Sequence, residues 1–420
     1  MLRLGLVCDF AEEGWPSMDL VGDMLFEQLQ RYHSDTIEAD LIRPAFQRRA
    51  TALGILRSSH AGWSYDRLWN RMVEYPRWLQ KRVQSYDLFH IVDHSYAHLA
   101  LTLPAGRTVI TCHDLDVFRC LSEPARERRP PWYRAMAQRV LDGFRSARHV
   151  VFVSEAVRQE ADRLGLISGV RSSVVHNGAD FETVDDLVAD RAVDGLLGSG
   201  ADGLLLLSVG STVPRKRVDI LLRVFAGVVS EVPGVRLIRV GGSLTGPQLE
   251  LARQLDLTRS IIELPFVERS ILGAVYRKAT LLLQPSEAEG FGLPVAEAMA
   301  RGCPVVASAL PALREIGGQA AIYCPVGDVS GWIQSVIRLL HQCRYEPVLR
   351  SALRSRSIEN ARRFSWRANA SRIASVYQEV VGSTAAHRRS IFPSKPSRSI
   401  ALEVSGQLRE ERTIALGHGQ

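Results

Sequence analysis

Residues 284–308 read QPSEAEGFGLPVAEAMARGCPVVAS. The leucines at 281–283 lead into Gln284 as a buried strand would, and a loop holding Gly290, Phe291 and Gly292 follows. Pro294 stands where a helix would begin, a place proline favours because its missing N–H is not needed there. Gly302 and Pro304 end that helix and a second strand starts at Val305. Glycines at 290 and 292 let the backbone approach a ligand closely, and the free N–H groups of a helix start favour anionic or hydroxyl oxygens. Glu289 in the loop and Glu297 in the first helical turn can then face one crevice. Carboxylates suit sugar recognition because each accepts paired hydrogen bonds from vicinal hydroxyls. The bland alternative is that Glu297 complements the helix dipole while Glu289 is a solvated loop charge.

Outward from this segment, short β-branched or leucine-rich runs alternate with longer amphipathic stretches along the whole chain. In the first half, strands are expected near Leu2–Cys8, Phe89–Val92, Thr108–Cys112, Val150–Val153 and Ser173–Val175, with a helix over about Trp132–Arg145. In the second they fall near Leu204–Val209, Val235–Val240, Ile261–Leu264, Leu281–Gln284, Val305–Ala307 and Ala320–Tyr323. Such alternation predicts α/β architecture, two Rossmann-like doubly wound domains whose ligands bind at the carboxyl ends of the strands, in a central cleft. The expected division is a first domain over 1–180, a linker rich in small and polar residues over 181–203, and a second domain over 204–365. A closing helix over 366–382 and a poorly ordered tail over 383–420 complete it.

Residues 207–225, LSVGSTVPRKRVDILLRVF, form the second informative segment. A strand ends at Val209, a turn carries Gly210, Ser211 and Pro214, and Arg215, Lys216 and Arg217 precede a helix. Cations at a strand's carboxyl edge can hold a diphosphate and stabilise a departing phosphate. The G-x-x-x-x-G-K-[ST] spacing of a Walker loop is missing, and a solvated cationic turn is the bland alternative. Only four of the 52 basic residues are lysine, so a lysine inside a sharp motif stands out. In the first half, Asp93-His94 and Cys112-His113-Asp114 end two strands. The loop around Gly14, Trp15 and Ser17 follows the first strand without G-x-G-x-x-G, and His176-Asn177-Gly178 follows the last. No His/Cys/Asp cluster has metal-ligand spacing, so no metal is expected.

The composition, 46% hydrophobic and 23% charged over 420 residues, excludes disordered, collagen-like and disulfide-stapled chains. No apolar run reaches a membrane span, no secretory h-region opens the chain, and six cysteines lack C-x-x-C pairing, which together read as cytoplasmic. The net charge of +7 is concentrated in residues 101–150 and 351–400. These basic stretches lack the interleaved aromatics of a nucleic-acid reader, so an anionic membrane surface or a phosphorylated substrate is the better match.

Taken together, the segments resemble the retaining glycosyltransferases of family 4, also called group 1, which have the GT-B fold. The likeness runs from about residue 2 to residue 381 and includes VSEAVRQE at 153–160, Asn177-Gly178, Arg314-Glu315-Ile316-Gly317-Gly318 and Phe364-Ser365-Trp366. The resemblance implies a nucleotide-sugar donor on the second domain. Glu297 would bind the ribose hydroxyls and Glu289 the donor sugar. The amides around Gly290, Phe291, Gly292 and Leu293 would bind sugar and diphosphate, while Arg215 and Lys216, beside Gly210 and Ser211, would hold the diphosphate. It further implies front-face attack, in which the leaving phosphate helps remove the acceptor proton, with His113 near the transferred sugar. Acceptor contacts would come from Gly14, Trp15, Ser17, His113 and Asn177. Ser211 and Arg217 depart from the family's usual arginine and glycine, and VGSTVPRKR looks like a subgroup with many mannosyltransferases. The donor is therefore expected to be GDP-mannose or a UDP-glucose-like nucleotide sugar, used without a cofactor. The expected acceptor is a glycan or lipid-linked oligosaccharide in cell-surface polysaccharide synthesis. A nucleotide-sugar epimerase and a silent partner-binding relative are the alternatives.

Overall fold

Two six-stranded sheets organise the chain. The computed structural model describes residues 1–52, 59–180, 186–198 and 203–391. The first sheet holds β1 (Leu2–Val7), β2 (Ile37–Ile42), β3 (Leu88–Ile91), β4 (Thr108–Cys112), β5 (His149–Phe152) and β6 (Arg171–Val174). All its strands are parallel, in the order β2-β1-β3-β4-β5-β6. The second holds β7 (Leu205–Val209), β8 (Arg236–Val240), β9 (Ile261–Leu264), β10 (Leu281–Gln284), β11 (Val305–Ser308) and β12 (Ala321–Cys324). It is also parallel, in the order β12-β11-β10-β7-β8-β9. Helices cover both faces, so the central strands read as unbroken apolar runs: Leu205–Leu207 and Leu281–Leu283 have no solvent exposure. Strand β2, IEADLI, lies at the sheet's edge and buries Ile37 and Ala39 while exposing Glu38 and Asp40. Its half-polar pattern hid it among the expected strands.

The strand order reverses between β1 and β3, and again between β7 and β10. Such switch points leave a crevice at the carboxyl ends, because the adjoining loops depart to opposite faces. The loops after β7 and β10 are the two motif segments singled out above.

Remote segments join the two sheets' domains into one unit spanning residues 1–381. A side chain at Gly178 would overlap Trp366. The Asp180 carboxylate accepts from the Trp366 amide at 2.7 Å, and the Ala179 amide donates to the Phe364 carbonyl at 3.1 Å. The Glu315 carboxylate caps the helix Glu155–Arg163 by accepting from the amides of Glu155 and Ala156 at 2.8 and 2.9 Å. It also takes a hydrogen bond from His176 Nε2 at 2.7 Å. The closing helix then returns over the first domain, where the Tyr377 hydroxyl meets His90 Nδ1 at 2.6 Å.

Two boundaries differ from expectation. The stretch read as a linker contains a helix, Leu187–Leu197, capped by Asp186 and burying Ala189, Val193 and Leu197. Ion pairs from Arg277 to Asp190 and Lys278 to Asp194 fasten it to the neighbouring helix. Gly195 and Gly198 suggested a loop, but the apolar residues recur at helical spacing around them. The closing helix runs Trp366–Ile391, past residue 382. Of the expected tail, 392–420 lie outside the described residues, as do 181–185 and 199–202 of the expected linker.

Candidate functional site

Because β7 and β10 are adjacent, the turn after one meets the loop after the other. Lys216 ends the short turn Pro214–Lys216, and its Nζ donates to Glu289 Oε1 at 2.6 Å. Ser286 Oγ and Gln284 Nε2 donate to the same oxygen at 2.8 and 2.6 Å, and Arg215 Nη1 lies 3.6 Å from Oε2. The Glu289 side chain is only 6% exposed. Burial opposes its charge, yet Lys216 and Arg215 outweigh burial and hold the carboxyl below its ordinary range. Gly210 shapes the turn with φ of +135°, and a side chain on Gly241 would come within 2.5 Å of the Gly210 carbonyl oxygen.

From the first domain, carboxylates reach toward the same cations. Arg215 Nε sits 3.1 Å from Asp116 Oδ2, and its Nη2 lies 3.7 Å from Asp114 Oδ2. His94 lies between Asp93 Oδ1 at 3.2 Å and Asp114 Oδ1 at 3.5 Å. Burial disfavours its charge, but these carboxylates overcome it and raise its pKa to about 10. A row of alternating charge thus runs Asp93, His94, Asp114, Arg215, Glu289, Lys216. Further along the first sheet's edge, burial and Asp93 push the Asp9 carboxyl well up.

His113 is buried, and its Nε2 donates to the Val92 carbonyl at 2.8 Å. Burial lowers its pKa, which keeps the ring neutral and leaves Nδ1 as an acceptor. Its carbonyl oxygen abuts Gly290, where any Cβ would overlap it. Ser154 Oγ donates to the Gly290 carbonyl at 2.6 Å, so the first domain holds this glycine of the second at two points. Gly292, at φ +90°, caps the helix Leu293–Ala300, and a Cβ there would lie 2.5 Å from Leu313 Cδ2. The Phe291 ring packs between His176 and Phe364, leaving its amide rather than its ring for a ligand.

Glu297 is the fifth residue of that helix and lies in the second turn, not the first, too deep to act as a dipole-complementing end charge. Arg269 Nη1 donates to its Oε1 at 3.2 Å and the Tyr276 hydroxyl donates to its Oε2 at 3.1 Å. Burial pushes its carboxyl up, against the pull of Arg269 and Tyr276.

The structure therefore brings together Glu289, Lys216, Arg215, Gly210, Gly290 and His113. Ser211 stays in the same turn, its carbonyl accepting from Arg239 Nη2 at 3.5 Å. On the acceptor side, Gly14 adopts φ of +67° beside open space, and Trp15 and Ser17 are exposed. Trp15 Nε1 donates to Glu13, which also holds Arg67 and Arg71. Among the described contacts none ties Gly14, Trp15 or Ser17 to Glu289 or Lys216. Asn177 is buried at the domain seam beside Gly178. Sequence reasoning missed Gln284, Ser286, Asp116, Arg269, Tyr276 and Gly241. Ser286 and Gln284 flank Glu289 in the quoted segment and Gly241 follows a strand, so their placement was a usable signal. Arg269 and Tyr276 reach Glu297 only through folding.

Two facing doubly wound domains with this cation–carboxylate cluster at the second sheet's switch point define the GT-B class. The profile described as "Glycosyltransferase Family 4" matches residues 23–183 and that described as "Glycosyl transferases group 1" matches residues 203–342. The chain belongs to this group 1, family 4 glycosyltransferase family. It is 32% identical over 295 residues to a D-inositol 3-phosphate glycosyltransferase of Mycolicibacterium smegmatis, covering 67% of this chain and 64% of that protein. The same-named protein of Kineococcus radiotolerans is 31% identical over 58% of this chain and 60% of its own length. The match thus spans less than two thirds of these relatives. Sucrose-phosphate synthase of Thermosynechococcus elongatus shares the fold with a TM-score of 0.70 at 18% identity, covering 91% of this chain and all of that one. HepE of Anabaena, in complex with UDP and glucose, gives 0.66 at 17% identity, covering 90% of this chain and all of that one.

Proposed function

We propose that the protein is a retaining hexosyltransferase that uses a nucleoside-diphosphate sugar without a metal cofactor. The observation that carries this reading is the pairing of Lys216 and Arg215 with Glu289 at the second switch point. When the bond from the sugar's C1 to the diphosphate breaks, charge accumulates on the departing phosphate, and two cations already in place neutralise it. The acceptor oxygen bonds to C1 on the face the diphosphate leaves, and the acceptor's proton passes to the departing phosphate oxygen. Glu289, kept ionised, accepts hydrogen bonds from the donor sugar's hydroxyls. The neutral His113 ring offers a further acceptor from the first domain.

UDP-glucose heads the donors to test, because HepE forms complexes with UDP-glucose and with UDP and glucose. The mannose preference rests on the VGSTVPRKR turn alone. The acceptor is a glycan, a lipid-linked oligosaccharide or, following the curated relatives' name, a phosphorylated cyclitol. Among the described residues no helix is long and apolar enough to cross a membrane. The exposed arginines 126, 128, 129 and 134 beside Trp132, itself 61% exposed, give a surface suited to anionic lipid. Co-sedimentation with anionic liposomes should fall when those arginines are neutralised, and unchanged binding removes that part of the reading.

A thermal-shift screen against UDP, GDP, ADP and their sugar conjugates, with Glu297→Ala and Lys216→Ala alongside, tests the donor site. Stabilisation by one nucleotide that both variants lose supports it. No shift with any of them counts against it.

A further inference from the structure

The structure assigns to Arg269 the role of a positioning residue that holds Glu297 as a carboxylate poised for the two ribose hydroxyls of the donor. This inference rests on the proposed donor reading and names a group that the sequence motifs do not contain. Glu297 is 3% exposed, and each of its oxygens already accepts one hydrogen bond, from Arg269 and from Tyr276. A carboxylate oxygen has two acceptor positions, so one remains on each for a vicinal diol. A protonated carboxyl would turn one of those acceptors into a donor and lose the match.

Arg269 is well suited to prevent that. It is the first residue of the helix Arg269–Lys278, an end where the helix dipole disfavours a cation. A charge placed against its own helix needs another partner, and Glu297 is that partner. The guanidinium is fixed further by its Nη2, which donates to the Asp180 carbonyl at 2.5 Å. Among the described residues no other charged group offsets the burial of Glu297. Tyr276 is held neutral by burial and Glu297 itself, Cys303 lies behind Tyr276, and Arg354 lies beyond Cys303.

The test is calorimetric binding of UDP and GDP to the full chain, comparing wild type, Arg269→Met, Arg269→Lys and Glu297→Gln. Without Arg269, burial acts on Glu297 unopposed by charge, and its pKa climbs. Relative to wild type, Arg269→Met should bind about tenfold more weakly near pH 6 and recover to within about threefold near pH 8.5. Arg269→Lys should show no such pH dependence, and Glu297→Gln should be weak throughout. Should Arg269→Met fail to fold, Arg269→Gln, which keeps a donor but no charge, gives the same reading. If Arg269→Met matches wild type at both pH values, or binds more tightly, while Glu297→Gln is weak, the role assigned to Arg269 is wrong. If Glu297→Gln binds like wild type, or wild type binds neither nucleotide, the underlying donor reading falls and takes this inference with it.

Discussion

Lys216→Met removes the cation that lies closest to Glu289, and the structure fixes what is left behind. The Nζ to Oε1 separation is 2.6 Å, and the Glu289 and Lys216 side chains are 6% and 16% exposed. With an effective dielectric of about 20, the bare attraction is roughly 6 kcal/mol, most of it offset by the desolvation of both groups. Breaking a buried pair from one side commonly costs about 3–5 kcal/mol. Here Gln284, Ser286 and Arg215 remain on the carboxylate, so the net loss should fall below that range, at about 2–3 kcal/mol. For a unit of this size that lowers Tm by about 3 °C. Because the folded pKa of Glu289 is depressed, its contribution is present at neutral pH and disappears as pH falls through the folded value. In the variant that depression is relieved, so the Tm gap to wild type should hold at neutral pH and vanish only as pH falls through the depressed wild-type value, below about 4.5. Turnover should suffer more, by about a hundredfold or beyond in kcat, since the cation would act on charge that develops only as the diphosphate departs. Melting curves across pH and nucleoside diphosphate released from the donor provide the two readouts. A Tm within about 1 °C of wild type would show that the ion pair adds no net stability in the folded protein. A kcat within about threefold of wild type would show that Lys216 does not face the leaving group.

Gly290→Ala places a methyl group against the His113 carbonyl oxygen, which is backbone and cannot yield cheaply. It should destabilise by about 1–3 kcal/mol and depress turnover by separating the domains' contact, and an unchanged melting curve would contradict the packing. His94→Gln removes an imidazolium whose pKa is raised to about 10. A raised pKa stabilises fully below the unfolded value near 6.5 and is lost as pH climbs through the folded one, so the Tm gap to wild type should be widest near pH 6 and narrow toward pH 10. A gap that widens with pH would mean that His94 is neutral in the fold.

The fold was legible because its central strands are buried on both faces and so appear as plain apolar runs. The site loops were legible because glycines at 210, 290 and 292 sit at strand ends, where a close approach or a positive φ requires them. What escaped notice was set by tertiary contact. Strand β2 looks half polar because it lies at an edge, and the helix Leu187–Leu197 is interrupted by glycine and held by ion pairs to another helix. Arg269 is an unremarkable surface cation in sequence, separated by 28 residues from the glutamate it holds. The paired acids at 289 and 297 suggested two carboxylates facing a single crevice. The structure makes them unlike: burial works against both, but two cations win at Glu289, whereas one at Glu297 does not.

That inequality follows from where each carboxylate sits relative to the second domain's cations. Arg215 faces Glu289 on its own domain and Asp114 and Asp116 on the other. A diphosphate reaching the switch point therefore meets a guanidinium already satisfied by three carboxylates, and it must offer Arg215 better geometry than they do. Phosphate can do so, since it presents oxygens to both prongs of the planar fork at once. Lys216, a point charge without that geometric demand, can approach a phosphate without giving up Glu289. The exchange at Arg215 would release Asp114, leaving it to His94 and the Asp116 amide, and would pass a change at the donor diphosphate along the charged row to Asp93 in the first domain. Coupling between the two halves then needs no separate relay, because the cation expected to bind the leaving group is among those contacts that already join the domains.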